Sequence, residues 1–188
     1  GDIGTHKHRI RRYSLQSKVV LMTSAVLIVL PALYFFFYEY DHETIHDRTI
    51  HSLFQSVTTR TAGFNTTDLA AMDESGTAIM IILMLIGGSP GSTAGGMKTA
   101  TFAVLFLSAI TVLRRRNDVQ CFKRRISNEA VCSAGAVLFM YLVLFFTSGI
   151  IISKVENLPL LTCLFETSSA IGTVGLTLGI TSGLSAVS

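Results

Sequence analysis

Charged residues are scarce in this sequence. Asp, Glu, Lys and Arg make up 14% of the 188 residues, whereas soluble domains typically carry about 25%. The shortage comes from long uncharged runs, and hydrophobic residues reach 49% with a mean hydropathy of +0.54. This composition disfavours a soluble globular domain and predicts a membrane protein in contact with the lipid bilayer.

Cysteine and histidine show no arrangement typical of a disulfide framework or a metal site. The three cysteines have neither paired spacing nor histidines at metal-ligand intervals, so we interpret them as small buried or interfacial side chains. His42 and His46 are four residues apart and could share a metal, but a solvated loop is the favoured interpretation. No bound cofactor, no bound metal and no nucleic acid partner are expected.

Two segments of the sequence share one pattern. The first begins at Phe54-Gln55 and the second at Phe165-Glu166, and each then runs through small and hydroxyl-bearing residues to a glycine flanked by apolar side chains. Each segment also follows a membrane-length apolar run. This pattern is typical of a chain that inserts a short helix into a bilayer and returns as extended backbone. The carbonyl groups of such a return can replace the hydration shell of an ion, so the repeat predicts an ion-conducting pore.

Two apolar runs are long enough to cross a bilayer, whose hydrocarbon core needs about 20 helical residues. They cover residues 19–38 and 130–152. The first ends in an aromatic stretch typical of a membrane interface and contains Pro31, which predicts a local kink. Short helices that do not span are predicted around residues 50–59 and 158–170.

A third apolar region, residues 76–113, is interrupted. Residues 87–96 contain five glycines and one proline, which cannot sustain a regular helix, and helix-favouring apolar sequence resumes at Met97. Non-helical backbone survives in a bilayer only where protein or a water-filled cavity surrounds it. The pattern therefore predicts a helix that breaks beside a pore.

Several functions are compatible with this glycine-rich interruption. It nearly matches a nucleotide-binding loop, but Met97 separates Gly96 from Lys98 and no buried strand precedes it. A serine nucleophile at Ser89 or Ser92 would lack a membrane-embedded histidine as its base. A kink for close helix packing is a further alternative. A mobile constriction made of small residues, lying below the two returns, is the favoured interpretation.

The basic residues predict the orientation of the chain. Of the 15 Lys and Arg residues, five lie in residues 7–18 and six in residues 114–125, and an even number of crossings separates these segments. The positive-inside rule places both segments in the cytoplasm, so both returns enter from outside. The predicted organisation begins with a cytoplasmic linker (residues 1–18) and a helix–pore loop–broken helix repeat (19–113). A basic cytoplasmic loop (114–128) and an incomplete repeat with an outer helix and a pore loop (129–188) follow.

The glycine-rich interruption carries a family resemblance. Residues 87–99 resemble the intramembrane gate loop of the Trk/Ktr/HKT superfamily of potassium transporters. Within that superfamily, their sequence most resembles that of the Ktr membrane subunit. Residues 59–64 resemble the third filter of that family, and residues 172–176 resemble its fourth. The three motifs occur in the family's order, and the resemblance covers essentially the whole chain.

The resemblance implies an all-α transmembrane fold of helix–pore loop–helix repeats, four of which form one pseudo-fourfold ion pore. Each repeat contributes a filter glycine, which here would be Gly63 or Gly175. The implied ion-binding residues of the filter are Thr61, Ala62, Gly63, Phe64, Thr173, Val174, Gly175 and Leu176. The implied gate residues are Gly87, Gly88, Ser89, Pro90, Gly91, Ser92, Thr93, Ala94, Gly95, Gly96 and Lys98.

The resemblance also implies the wider setting of the chain. It implies potassium uptake across the plasma membrane driven by the membrane potential, with Na⁺ as a coupling or activating ion in some members. It implies a homodimer and a cytoplasmic nucleotide-binding regulatory ring subunit. The sequence matches only the third repeat and most of the fourth, and it begins with Gly1. We therefore expect it to be part of a longer chain whose remaining repeats complete the pore.

Three charged residues lie at these motifs, and an ionisable residue at membrane depth usually marks function. Arg60 either ties its own loop through hydrogen bonds to carbonyl groups or forms an ion pair with Glu166. Lys98 is expected to lie away from the pathway or to contact carbonyl groups of the glycine-rich loop.

Two functions other than cation translocation remain open. A non-conducting structural or assembly subunit, whose returns are vestigial, would tolerate substitution of Gly63 and Gly175. A membrane enzyme that uses the glycine-rich loop would need a catalytic base, which the sequence does not show, so no catalytic residue is predicted. Potassium and sodium remain alternative transported ions, with potassium favoured.

Overall fold

The structure is a computed structural model that describes residues 15–92, 94–115, 120–121 and 124–185. Helices dominate these residues. The α-helices are α1 (Leu15–Tyr34), α2 (Ile45–Thr58), α3 (Glu74–Leu85), α4 (Thr99–Leu113), α5 (Asn128–Glu156) and α6 (Leu160–Gly172). Shorter helical turns are the π turn Phe35–Glu39 and the 3₁₀ turns Leu69–Ala71 and Thr181–Gly183. The basic loop departs from an all-helical fold, because β1 (Gln120–Cys121) pairs there in antiparallel fashion with β2 (Arg124–Arg125).

Two helical segments are long and apolar enough to cross a membrane, namely Gln16–Glu39 and Asn128–Glu156. Helices α3, α4 and α6 are apolar but shorter. The first segment begins inside the predicted linker, since α1 starts at Leu15. Its α-helical pattern continues through Pro31 and widens into the π turn only at Phe35, so the distortion lies one turn beyond the proline.

The short helices begin and end at residues that suit helix termini. Thr44 precedes α2, and its Oγ1 accepts a hydrogen bond from the Asp47 N–H at 3.4 Å, which satisfies one of the free N–H groups of the first turn. Pro159 precedes α6 and needs no N–H partner. These signals place α2 and α6 where the sequence predicts the two re-entrant helices, with boundaries shifted by a few residues.

Helix α6 packs against α3 and α5, α1 packs against α2 and α4, and α4 also packs against α5. The fully buried apolar side chains lie between these helices, and the largest of them are Phe35, Met80, Met84 and Phe165. In contrast, the two long helices expose many large apolar side chains. Within the described chain, α3 and α6 therefore lie largely in the interior, whereas the long helices and α4 present apolar surface.

The buried faces of the short helices are unusually polar. Helix α2 buries Ser52, Gln55, Ser56 and Thr58, and α6 buries the run from Glu166 to Ser169. Buried polar groups are stable only where they find hydrogen-bond partners. Many of these hydroxyl groups donate to backbone carbonyls of their own helix, as Ser168 does to Phe165 at 2.7 Å. Apolar surface outside and polar groups inside are typical of a membrane protein that surrounds a polar pathway.

Candidate functional site

The first return segment, residues 60–64, turns directly after α2. The N–H groups of Ala62 and Gly63 both donate to the carbonyl oxygen of Thr58 at 3.1 Å. Thr61 and Gly63 have positive φ angles of 71° and 73°. Residues other than glycine rarely adopt this left-handed backbone conformation. The Thr58 hydroxyl donates to the Phe64 carbonyl at 2.6 Å, so the extended backbone is tied to the end of the helix.

The second return segment, residues 173–177, repeats this backbone path after α6. Thr173 and Gly175 have positive φ angles of 53° and 92°, so both returns place a threonine and then a glycine, two residues later, in the left-handed region. Ser169 holds the turn, because its carbonyl accepts from the Val174 N–H at 2.9 Å and its hydroxyl from the Gly175 N–H at 3.2 Å. The repeat seen in the sequence therefore extends to backbone conformation.

The two return segments lie against each other. A methyl group placed on Gly63 would lie 1.9 Å from the carbonyl oxygen of Val174 and 3.0 Å from its carbonyl carbon, which is a severe overlap. Only glycine, which lacks this methyl group and tolerates a positive φ, fits at Gly63. The structure thus brings together the two glycine-containing turns that the sequence singles out.

A buried carboxylate anchors the second return segment. One oxygen of Glu166 accepts hydrogen bonds from the Thr177 hydroxyl at 2.7 Å and from the Leu178 N–H at 2.9 Å. The other oxygen accepts from the Thr181 hydroxyl at 2.7 Å. Hydrogen bonds to a charged acceptor are stronger than neutral ones, so Glu166 fixes the chain that leaves the return. Sequence reasoning missed Thr181. The spacing of hydroxyl-bearing residues after Gly175 is the only feature of the sequence that could have indicated its role.

The first return segment is anchored differently. Gln55 occupies the position of Glu166 in the repeat, but its amide nitrogen donates to the Met80 sulfur at 3.1 Å. The chain beyond the return is held instead by Tyr40, whose hydroxyl lies 3.3 Å from the Thr67 hydroxyl. Burial raises the pKa of the Tyr40 phenol. Sequence reasoning missed Tyr40.

Of the two arrangements that the sequence left open for Arg60, the structure does not show the ion pair with Glu166. Arg60 donates from its two terminal nitrogens to the carbonyls of Ser24 and Gly87, each at 3.5 Å, while Glu166 is occupied by the second return. The alternative prediction, that Arg60 ties its loop through carbonyl groups, describes the observed type of contact. One partner, Gly87, begins the glycine-rich loop, so Arg60 connects α1, the first return segment and that loop.

The glycine-rich loop, residues 87–98, is closed at its base. Ile86 and Met97 form a parallel bridge, with the Gly87 N–H donating to the Met97 carbonyl and the Met97 N–H to the Leu85 carbonyl, both at 2.9 Å. A methyl group on Gly87 would overlap the Gly95 carbonyl, so the two arms of the loop touch. Helix α3 ends at Leu85 and α4 begins at Thr99, two residues later than the sequence predicts.

The tip of the glycine-rich loop is held by its own polar groups. The Ser92 hydroxyl donates to the Ser89 carbonyl at 2.7 Å. The Lys98 ammonium group donates to the Ser92 carbonyl at 3.1 Å and also to the Ala94 carbonyl. The predicted contact of Lys98 with loop carbonyls is therefore present. Thr93, another predicted gate residue, lies outside the described residues.

The glycine-rich loop also touches the second return segment. The Gly95 N–H donates to the Thr173 hydroxyl at 2.8 Å. Gly172, at the end of α6, lies against the Met84 carbonyl at the end of α3, where an added methyl group would overlap. The two returns and the loop thus form one cluster at the ends of α2, α3 and α6. Within the described ranges, no group of three or more His, Cys, Asp or Glu side chains could hold a metal ion.

Comparison with known proteins gives consistent matches. The family model TrkH, described as a cation transport protein, matches residues 4–188. The chain is 37% identical over 179 residues to Ktr system potassium uptake protein B of Bacillus subtilis, covering 92% of this chain and 40% of that protein. It is 36% identical to Ktr system potassium uptake protein D of the same organism, covering 96% and 41%. It is 34% identical to potassium/sodium uptake protein NtpJ of Enterococcus hirae, covering 96% and 42%. The chain therefore spans well under half the length of these relatives.

Proposed function

The chain belongs to the TrkH family of cation transport proteins, in agreement with the resemblance of its motifs, and from this premise we propose that it forms part of a potassium-conducting pore. One observation carries the proposal. The two return segments share one backbone path and meet where Gly63 lies against Val174. Such a path lets backbone carbonyls face a passing ion in place of water.

In the proposed filter, two adjacent corners of the ion pathway come from this chain. The first corner is formed by Thr61, Ala62, Gly63 and Phe64, and the second by Thr173, Val174, Gly175 and Leu176. Positive φ angles at the threonine and glycine of each return change the direction of successive peptide groups, which can turn carbonyls toward a common axis. The remaining repeats of a longer parent chain would supply the other corners.

The glycine-rich loop is the proposed gate. It lies directly beside the second return segment through the Gly95–Thr173 hydrogen bond, so it sits next to the place where an ion would leave the filter. Its small side chains leave room for a pathway when it moves aside. The Lys98 ammonium is held by loop carbonyls, which lowers its repulsion of a cation in the pathway.

The proposed setting is the plasma membrane. The basic segments, 1–18 and 114–128, would lie in the cytoplasm, and both return segments would enter from outside. The long apolar helices would then face lipid or the other repeats. The names of two relatives as Ktr system proteins support a complex with further components, and we propose a homodimer seated on a nucleotide-binding ring subunit. The name of a third relative as a potassium/sodium uptake protein supports Na⁺ as a coupling or activating ion.

The proposed function is tested by rubidium uptake in cells that lack their own potassium uptake, using the full-length parent protein. We expect saturable uptake that resists competition by sodium. In the Gly175→Ser variant we expect this resistance to fall about tenfold, because a side chain at φ 92° strains the turn by 1–2 kcal/mol. Absence of uptake by folded protein in the membrane would favour an assembly subunit instead. Equal sodium resistance in both proteins would exclude Gly175 from the filter.

The gate is tested with Lys98→Met. This change removes two hydrogen bonds from a charged donor to loop carbonyls. Because the ammonium group is partly exposed to solvent, we expect a net loss of about 1 kcal/mol, equivalent to about fivefold. We expect the loop to open more often and rubidium uptake to rise about fivefold at limiting rubidium. The matched control is Lys154→Met, in the last turn of α5, which should leave uptake at the parent rate. A lower rate with Lys98→Met would mean that Lys98 supports conduction rather than closure.

A further inference from the structure

The side chain of Thr173 joins the second return segment to the glycine-rich loop. Its hydroxyl oxygen accepts the hydrogen bond from the Gly95 N–H at 2.8 Å. Its methyl group lies over the same glycine, since a methyl group on Gly95 would be 2.5 Å from the Thr173 Oγ1 and 2.7 Å from its Cγ2. One residue therefore contributes its backbone to the proposed filter and its side chain to the proposed gate.

Among the residues that the structure describes, this kind of contact occurs only at the second return. Thr61 occupies the equivalent position of the first return, with a similar positive φ of 71° against 53° for Thr173. None of the hydrogen bonds formed by the described residues uses the Thr61 hydroxyl. The first return reaches the loop through a different side chain, because Arg60 donates to the Gly87 carbonyl at 3.5 Å. Each arm of the loop is thus held by a different return.

The Gly95–Thr173 bond lies on the tip side of the closed base of the loop. The base of the loop is closed by backbone hydrogen bonds between Gly87 and Met97 and between Met97 and Leu85. Gly95 lies inside this closed base, toward the tip. Moving the tip away from the second return therefore breaks the Gly95–Thr173 bond while the bonds at the base remain.

We propose that Thr173 is a positioning residue that holds the glycine-rich loop closed through its hydroxyl group. The inference rests on the proposed function of the loop as a gate and adds the contact that controls its closure. Because the same residue forms part of the proposed filter, a shift of the filter backbone changes the position of this acceptor. The Thr173–Gly95 contact thereby couples the state of the filter to the closure of the gate.

The first test is hydrogen exchange at single-residue resolution on the full-length protein in nanodiscs. Removing the acceptor with Thr173→Val should speed exchange of the Gly95 amide about fivefold, the equivalent of one ordinary net hydrogen bond. Thr173→Ser keeps the hydroxyl and should exchange at the parent rate. The Met97 amide, which bonds to the Leu85 carbonyl, is the internal control. Thr173→Ala is a second test of the same exchange rate, because it also removes the hydroxyl group but leaves no β-branched side chain in its place.

The second test is rubidium uptake by the same variants. Thr173→Val should raise uptake about fivefold at limiting rubidium while the rubidium-to-sodium ratio stays within twofold, whereas damage to the filter would change that ratio. Thr111→Val, which removes a hydroxyl bonded within α4 to the Leu107 carbonyl, should not raise uptake. Unchanged exchange at Gly95, or faster exchange without faster uptake, would overturn the inference. Absence of uptake by the parent protein would overturn the proposed function instead, and exchange at Gly95 would still report whether the contact exists.

Discussion

Gly63→Ala is expected to abolish saturable rubidium uptake by the full-length protein. The added methyl group would overlap the Val174 carbonyl oxygen, which belongs to the backbone of the opposite return and has no flexible end that could move aside. The φ of 73° at Gly63 adds strain for any residue with a Cβ. Two backbone segments must separate to accept the change, so the proposed filter would lose its geometry.

The structure offers two comparisons for this prediction. Gly135→Ala in α5 is the matched control, because a methyl group there meets nothing within 4 Å and alanine favours a helix. Gly175→Ala is intermediate, since its methyl group also meets nothing within 4 Å in the described chain and only the backbone strain of φ 92° remains. We expect uptake to fall in the order Gly135→Ala, Gly175→Ala, Gly63→Ala. Parent-like uptake and sodium resistance in Gly63→Ala would exclude this glycine from the ion pathway.

Glu166→Gln is expected to lower uptake at least about tenfold and to reduce the thermal stability of the protein. The carboxylate accepts three hydrogen bonds, from Thr177, Leu178 and Thr181. An amide keeps one acceptor oxygen and turns its NH₂ group toward the Thr181 hydroxyl, which must then accept instead of donating. All three bonds also lose the charge of the acceptor, and a bond to a charged group is worth about 1.5–3 kcal/mol against about 1 kcal/mol for a neutral one. The chain that leaves the second return segment would lose its fixed position.

Both effects of Glu166→Gln are measurable on one preparation. Rubidium uptake in proteoliposomes reports the function, and the melting temperature in detergent reports the stability. Glu129→Gln removes an exposed carboxylate from the first turn of α5, so it should change neither quantity by much. If Glu166→Gln melts at the parent temperature and transports normally, the carboxylate does not anchor the return.

The sequence predicts the elements of this fold well because their signals are local. Long uncharged runs mark α1 and α5, and the cluster of glycines with Pro90 marks the end of α3. The turn glycines Gly63 and Gly175 follow from small residues after an aromatic residue, and both have positive φ. Each of these features depends on residues adjacent in the chain, so no knowledge of the packing is required.

The partners of the charged residues could not be predicted in the same way. Arg60 and Glu166 suggested an ion pair by charge alone, yet Arg60 reaches carbonyls of Ser24 and Gly87 and Glu166 reaches hydroxyl groups further along its own segment. Which donor meets which acceptor depends on how the ends of α2, α3 and α6 approach one another. The hydrogen bond between Gly95 and Thr173 escaped prediction for the same reason, because 78 residues separate its ends.

The two return segments are also less equivalent than their sequences suggest. A buried carboxylate anchors the second, whereas Gln55 occupies that position in the first and bonds to the Met80 sulfur. Tyr40 and its contact with Thr67 take over part of the anchoring role. The repeat preserves the path of the backbone at the turn and varies the side chains that fix it, so substitutions at equivalent positions should not have equal effects.

The parallel bridge between Ile86 and Met97 has a consequence for the mechanics of the membrane. Because the two arms of the glycine-rich loop are joined where they leave their helices, the proposed gate would open by movement of its tip alone, without tilting α3 or α4. The outline of the protein toward the surrounding lipid would then stay constant. We therefore expect the rate of opening to be insensitive to bilayer thickness.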